Sequence, residues 1–419
     1  MRMTSLQQYG IVTANYWAFT LTDGALRMLV VFHFHALGYS TFDIALLFLF
    51  YEFFGVITNL CGGWIAARHG LRITLWVGTL LQIVALVMLV PVGAGWPKLV
   101  SVIYVMVAQA ISGIAKDLNK MSAKSAIKTV VPESTDQTGD RQQQLFKWVA
   151  ILTGSKNALK GVGFFLGGVL LTALGFNQAV GSMAAGLSLA FLLTLLLPRE
   201  LGKMKIKPGF SALLSKSAGI NVLSLARFFL FGARDVWFVV ALPVFLEAAL
   251  GWSFSEIGGF MGLWVIGYGV VQGAAPTLRN LWGQTTSPGV HAVQFWSALL
   301  TAIPALIAVG LWREVEISIA IIGGLAAFGV VFAMNSSIHS YLVLAYTDTE
   351  NVSLNVGFYY MANAAGRLLG TLLSGGVFLI GADNSTGMQA CLWTSSLLIG
   401  LSWLSSLRLP PPPKPVIAN

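Results

Sequence analysis

Lys116, Lys120, Lys124 and Lys128 recur every four residues, and Lys156 and Lys160 repeat that spacing further on. Residues four apart share one face of a helix, so each segment presents ammonium groups on one side. The surrounding chain is 56% hydrophobic and only 10% charged. A lysine at the centre of a membrane-spanning helix costs roughly 2.5–3.5 kcal/mol. Bearing that cost repeatedly with one sign of charge points to the handling of an anion inside the membrane. A helix drifts about 40° per four-residue step, so the ladder divides along its length. Lys116 and Lys120, with Asn119 between them, are expected to reach an anion path, and snorkelling towards headgroups is the alternative for each lysine. Lys124 and Lys128 are expected at the interface or in a cytoplasmic extension.

Other charges sit at similar depth. Arg27 lies eleven residues before Gly38, about 16 Å from the outer boundary, and Glu52 lies eleven residues after Thr41. Asp23 is one turn from Arg27. These three read either as an ion-paired trio or as an anion-binding Arg27 held by carboxylates that also exchange protons. Lys156, with Asn157 beside it, falls in mid-span, and Lys160 sits one turn further out, as ligand or gating groups. Arg227, Arg234 and Asp235 share the seventh apolar segment. Arg367 lies in the eleventh, preceded by Asn363 and near Tyr359 and Tyr360. One of Arg234 and Arg367 is expected to pair with Asp235, and the other to reach the cavity.

At membrane depth the cations Arg27, Lys116, Lys120, Lys156, Lys160, Arg227, Arg234 and Arg367 face only Asp23, Glu52, Asp117 and Asp235, an excess of four positive charges. Two ammonium groups about 6 Å apart repel by roughly 3 kcal/mol at an effective dielectric near 20. Ion-pair scaffolding alone would leave no such excess; a polyanionic solute relieves it. Arginine forks suit phosphate and arsenate oxygens, and lysines act as point charges beside them. The histidines are weaker signals. His33 and His35 face differently, and His339 reads as a hydrogen-bonded structural residue rather than a proton carrier.

The elements that must position these groups are transmembrane helices. Mean hydropathy is +0.77, which excludes an ordinary soluble domain. Twelve apolar stretches are expected, at roughly 10–37, 42–67, 73–93, 99–124, 146–172, 178–197, 220–249, 256–278, 290–310, 316–341, 354–380 and 387–407. Breakers such as Gly38, Gly70, Gly175, Gly251 and Gly283 fall between them. The glycine pairs Gly163/Gly167, Gly258/Gly262 and Gly366/Gly370 read as packing seams. Cys61 and Cys391 give neither a disulfide framework nor a thiolate metal cluster, so no cofactor or metal is expected. The first apolar run contains Asp23 and Arg27 and reads as a span, not a cleaved signal. The net charge of +9 does not indicate nucleic-acid binding, because it lies in short loops and inside spans. Basic loops concentrate on one side, which places both termini in the cytoplasm.

An internal repeat divides the chain. Leu37-Gly38-Tyr39-Ser40-Thr41-Phe42-Asp43-Ile44 matches Leu250-Gly251-Trp252-Ser253-Phe254-Ser255-Glu256-Ile257 at an offset of 213 residues. Gly167-Gly168-Val169 recurs as Gly375-Gly376-Val377. The expected organisation is a six-helix bundle over 1–197, a cytoplasmic linker over 198–217, a second six-helix bundle over 218–408 and a tail over 409–419. Two similar six-span halves predict a secondary transporter with a site near the bilayer midplane.

Gly63-Trp64-Ile65-Ala66-Ala67-Arg68-His69-Gly70-Leu71-Arg72 resembles the loop between the second and third spans of the major facilitator superfamily. Arg68, Gly70 and Arg72 match its gating loop. Ala67 stands where that family carries an acid, which puts a charge-based gate in doubt. The resemblance implies an all-α membrane protein of twelve helices in two pseudo-symmetric halves. More specifically, the segments Ser112–Ser125, Gly154–Gly161 and Tyr16–Arg27 resemble the organoarsenical efflux permeases, the ArsJ group. That resemblance implies export of 1-arseno-3-phosphoglycerate, the unstable product formed when a glyceraldehyde-3-phosphate dehydrogenase uses arsenate, and hence arsenate resistance. It also implies a monomer in a bacterial inner membrane. Trivalent arsenic would call for gathered cysteines; a pentavalent arseno-ester is an oxyanion and calls for cations. The rival within the class is an organophosphate or sugar-phosphate exchanger. A non-transporting membrane sensor would need a signalling module, and a membrane enzyme would need a nucleophile and base or a metal cluster in one cavity. Neither pattern is present in the sequence.

Overall fold

The structure is a computed structural model, and it describes residues 4–39, 47–93, 95–130, 138–198, 201, 217–347 and 352–412. Every regular element among them is helical. In chain order these are α1 (Ser5–Ala36), α2 (Leu49–His69), α3 (Leu71–Leu89), α4 (Lys98–Val130), α5 (Thr138–Thr194), α6 (Ala218–Phe238), α7 (Ala241–Leu250), α8 (Phe254–Leu281), α9 (Val290–Trp312), α10 (Gly324–Ala345), α11 (Val352–Phe378) and α12 (Asn384–Ser406). A single π-helical turn, Ile319–Gly323, leads into α10.

Eight described helical stretches are long and apolar enough to cross a bilayer. One of them joins α6 and α7, and another is α5. At 57 residues α5 is far too long for one crossing. It breaks at Gly175 (φ 72°, ψ 173°), a backbone conformation that a side chain would strain. Beyond the break it returns along α3: the Asn177 amide donates to the Val90 carbonyl, and Trp76 Nε1 donates to the Thr194 carbonyl. Thus α5 carries two of the expected spans. Helices α1, α11 and α12 fall outside the eight because they are more polar. Thr13, Asn15, Thr20, Thr22 and Asp23 are all buried on α1, and Ser353, Asn363 and Ser374 are buried on α11. Polar side chains in a span turn towards protein, not lipid.

The chain divides into two compact units. One comprises Met1–Pro132, Ser155–Leu214 and Thr349–Met361; the other comprises Glu133–Gly154, Ser215–Asp348 and Ala362–Asn419. In the first, α4 packs against α1, α2 and α3 over a core that includes Phe34, Leu86, Leu89, Val105, Phe176 and Leu187. In the second, α12 packs against α6, α7 and α9, and α10 packs against α8 and α9. Its core holds Trp237, Leu300, Phe328, Phe332 and Leu392. Large apolar side chains such as Val169, Leu189, Leu192 and Leu372 point outward, as expected where the solvent is lipid.

The repeat has a matching backbone signature. Gly38 (φ 80°) ends α1 and Gly251 (φ 65°) ends α7, each in the left-handed region. The amide after each glycine reaches back to the last helical turn, Tyr39 to Phe34 and Trp252 to Leu246. The structure confirms two of the glycine seams. A methyl at Gly24 would meet the Lys160 carbonyl at 2.7 Å, and one at Gly163 would meet the Leu21 carbonyl at 2.7 Å, so α1 and α5 touch backbone to backbone. Gly366 and Gly370 meet Phe228 and Gly232 of α6 in the same way. Gly258 has open space beside it and forms no such seam.

Candidate functional site

The first unit gathers charged residues from α1, α2, α4 and α5. Tyr51 Oη donates to Asp23 Oδ1 at 2.5 Å, and Lys160 Nζ lies 3.6 Å from Asp23 Oδ2. Arg27 Nη2 lies 3.5 Å from Glu52 Oε1. Lys116 Nζ stands between two carboxylates, 4.0 Å from Glu52 and 4.0 Å from Asp117. Lys120 closes the series 2.5 Å from Asp117 Oδ1. Aromatic faces back the cations. Lys116 Nζ is 3.8 Å from the Tyr51 ring centre, Lys120 Nζ is 4.5 Å from that of Tyr360, and Arg27 packs over Phe48 and Tyr51. Two glycines make room: Gly113 lets α4 approach the Tyr51 backbone, and Gly55 leaves space for the Asp117 carboxylate.

The order of burial matters most. The Asp23 and Asp117 side chains are only 6% and 2% exposed, whereas Arg27, Lys116, Lys120 and Lys160 keep 28%, 17%, 11% and 19%. The four cations are thus the more exposed groups, with those two carboxylates buried behind them. Four cations share three carboxylates in this cluster, and Lys156 adds another positive charge one turn before Lys160. The longer pairs, at 3.5–4.0 Å, are loose contacts that an oxyanion can compete for.

The second unit repeats the pattern with arginines. Asp235 is fully buried, and Arg234 and Arg367 hold it from both sides, at 2.5 Å to Oδ1 and 3.0 Å to Oδ2. Both guanidinium groups engage the carboxylate, so the expected division, one structural and one in the cavity, is corrected. Asp235 has two oxygens and α6 and α11 meet at a glycine seam, which brings Arg367 within reach alongside Arg234. Arg227 is buried; its Nε donates to Asn363 Oδ1 at 2.9 Å and its Nη1 to Ser336 Oγ at 2.9 Å. Phe231 stacks with both Arg227 (3.9 Å) and Arg234 (4.9 Å).

The remaining expected residues fall elsewhere. Asn119 is buried in a joint of α1, α3 and α4: Asn15 Nδ2 and Thr79 Oγ1 donate to its Oδ1 at 3.1 Å each, and its own amide donates to the Ala115 carbonyl. Lys156 and Asn157 are half-buried on α5. Tyr359 is fully buried and edge-on to Tyr360, so Tyr360 is the residue that meets Lys120. Asp23 contacts Tyr51 and Lys160 while Arg27 contacts Glu52, so a four-helix network replaces the simple trio. Lys116 and Lys120 turn to carboxylates and rings rather than snorkelling. Lys124, expected at the interface or in a cytoplasmic extension, is 2% exposed. The side chains of Lys128 and His35 lie outside the described residues. His339 is fully buried, and neither ring nitrogen has a hydrogen-bond partner among the described residues, contrary to the expected hydrogen-bonded role.

In the gating-loop segment, Gly70 (φ 93°) links α2 to α3. Arg68 packs over Trp64, and Arg72 packs over Trp76 and donates to the Leu195 carbonyl at 3.1 Å. Ala67 is buried.

Sequence reading missed Tyr51 and Phe231, which shape the two clusters. A tyrosine directly before Glu52 was the available signal for the first; nothing marks Phe231 among its aromatic neighbours.

No curated protein matches the sequence. Several solved structures share the fold. The human organic anion transporter MFSD10 (TETRAN) is 16% identical, with 97% of this chain and 100% of that chain covered and a TM-score of 0.71. The proton:xylose symporter XylE is 13% identical, with 97% and 96% covered and a TM-score of 0.73. A bacterial homologue of the iron transporter ferroportin, in an outward-facing state, is 15% identical, with 95% and 99% covered and a TM-score of 0.68. At these identities the likeness is one of fold. The sequence profile of the Major Facilitator Superfamily matches residues 11–371, so this multi-pass membrane protein, a transporter by family, belongs to the major facilitator superfamily.

Proposed function

We propose that the protein exports a small, multiply charged organic anion by alternating access, coupled to protons. The observation that carries this reading is the burial order in both clusters: cations at the front, the most buried carboxylates behind. A phosphate- or arsenate-bearing solute would draw Arg27, Lys116, Lys120, Lys156 and Lys160 in the first unit and Arg234 and Arg367 in the second. Asp23 or Glu52 carries the coupling proton, since each pairs with a cation that the solute would claim. Within that class, 1-arseno-3-phosphoglycerate is the substrate that the resemblance to organoarsenical permeases favours, with arsenate resistance as the outcome. The substrate would come from a glyceraldehyde-3-phosphate dehydrogenase supplied with arsenate. The protein would sit in a bacterial inner membrane with both termini cytoplasmic, dividing at residues 198–217 into two six-span halves. An organophosphate exchanger is the second reading, because its cavity needs the same cations.

Everted vesicles supplied with the dehydrogenase, NAD+ as its oxidant, glyceraldehyde 3-phosphate and arsenate test the reading. Arg27→Ala and Lys156→Ala are each expected to abolish accumulation while the protein remains folded by size exclusion. Normal accumulation by both variants would overturn the assignment.

A further inference from the structure

The second unit holds a cavity of about 500 Å³ between the start of α5, the end of α8 and the loop that follows α8. That volume is in the range of small-molecule sites, roughly 300–1,000 Å³. Arg279 and Lys147 line it, together with the polar side chains Gln143, Gln284, Thr277 and Thr286, and no acidic residue is among the described lining groups.

Arg279 is the informative residue. It is only 5% exposed. Its Nη2 donates to the Thr286 carbonyl at 3.3 Å, but Nε and Nη1 have no hydrogen-bond partner among the described residues. No carboxylate among the described residues pairs with it. A buried guanidinium with two idle donors and no carboxylate partner among the described residues is costly unless an acceptor arrives. Arg279 itself lines the polar cavity, and Lys147, exposed, lines it too.

The cavity wall is built in advance. Gly283 (φ 75°) turns the chain after α8, and the Gln284 amide returns to the Arg279 carbonyl at 2.9 Å. Gln143 Nε2 donates to the Thr285 carbonyl at 2.8 Å, and Ser287 Oγ donates to Gln142 Oε1 at 3.0 Å, tying the loop to α5. Pre-organisation of this kind lowers the ordering cost of binding.

We propose that this cavity is a second anion site, separate from the transport clusters, which takes a phosphoryl oxyanion on the Arg279 fork with Lys147 as its outer charge. Planar guanidinium donors match phosphate oxygens. The phosphoryl group belongs either to a soluble phosphate or to an anionic lipid headgroup.

The test uses the full-length protein in phosphatidylcholine nanodiscs, titrated with inorganic phosphate against chloride at constant ionic strength and followed by thermal unfolding. The melting temperature is expected to rise saturably. Arg279→Gln should raise the half-saturating phosphate concentration by about tenfold or more, as expected for loss of a charge-assisted pair, and Lys147→Gln should raise it to a lesser degree. A parallel arm omits phosphate and adds phosphatidylglycerol to the nanodisc; stabilisation there that both variants lose identifies the headgroup as the source. Any anion bound at the transport clusters is common to wild type and variants, so it does not mimic the result. If Arg279→Gln fails to fold, Lys147→Gln, at an exposed position, decides alone. No wild-type stabilisation in either arm, or equal stabilisation in the variants that fold, would overturn the proposal.

Discussion

At the scale of single residues, each cluster holds carboxylates, Asp23 and Asp117 in one and Asp235 in the other, that are more buried than their cations. Asp235 is the simplest case, because two arginines depend on one acid. Asp235→Asn should therefore destabilise the protein by about 2–3 kcal/mol. The figure is at the low end for a broken buried pair because Arg234 and Arg367 stay 15% and 22% exposed. Thermal unfolding in detergent measures it, and adding Arg367→Gln should recover part of the loss by removing one stranded charge. Asp23→Asn tests coupling instead: anion flux should lose its dependence on an imposed pH gradient while the helices stay packed. The charges themselves were legible in the sequence, since an ionisable residue in an apolar run stands out. Their partners were not. Tyr51 and Phe231 were passed over in their own helices, and Asn363 was noted beside Arg367 but not as the partner of Arg227; only the meeting of several helices makes them ligands or ring faces for a charge. The double pairing of Asp235 escaped for the same reason, because it depends on how closely α6 and α11 approach.

At the scale of elements, backbone-to-backbone contact sets where the charged side chains stand. Gly163→Leu and Gly366→Leu should each abolish folded protein, because the added side chain meets a neighbouring helix's carbonyl group. Gly258→Leu, which meets open space, should express and run normally by size exclusion. Helix ends offer a second check. The Thr386 amide and then its hydroxyl hold the exposed Asp383 carboxyl below the usual carboxylate range, which caps α12. A carboxyl depressed in the folded state adds stability above its unfolded pKa of about 4 and loses it as pH falls through the lower folded value. Asp383→Asn keeps a capping side chain but removes the charge, so it should flatten the melting-temperature profile between about pH 5 and pH 3. Most span positions were legible from hydropathy and breakers. The break of α5 at Gly175 agrees with the breaker read between two spans. The bend between α6 and α7 was not legible, because hydropathy marks where a chain is apolar and says nothing of whether a helix bends. The burial of Lys124 was missed because side-chain cover depends on neighbouring elements that hydropathy does not report.

At the scale of the whole molecule, repeat, helix order and sequence profile agree on a major facilitator transporter, and the Gly38 and Gly251 turns carry the repeat into the backbone. The family fixes the class of activity and leaves the solute open; the chain's own cations are the ground for proposing an anion. The most direct measurement is accumulation by everted vesicles of the arseno-ester, 3-phosphoglycerate and a neutral sugar, side by side at one pH gradient. Cation-fronted clusters predict that the anions accumulate and the neutral sugar does not, and the proposed substrate adds that the arseno-ester accumulates in preference to 3-phosphoglycerate. Accumulation of the neutral sugar with neither anion retained would contradict the proposed role of Arg27, Lys116, Lys160, Arg234 and Arg367.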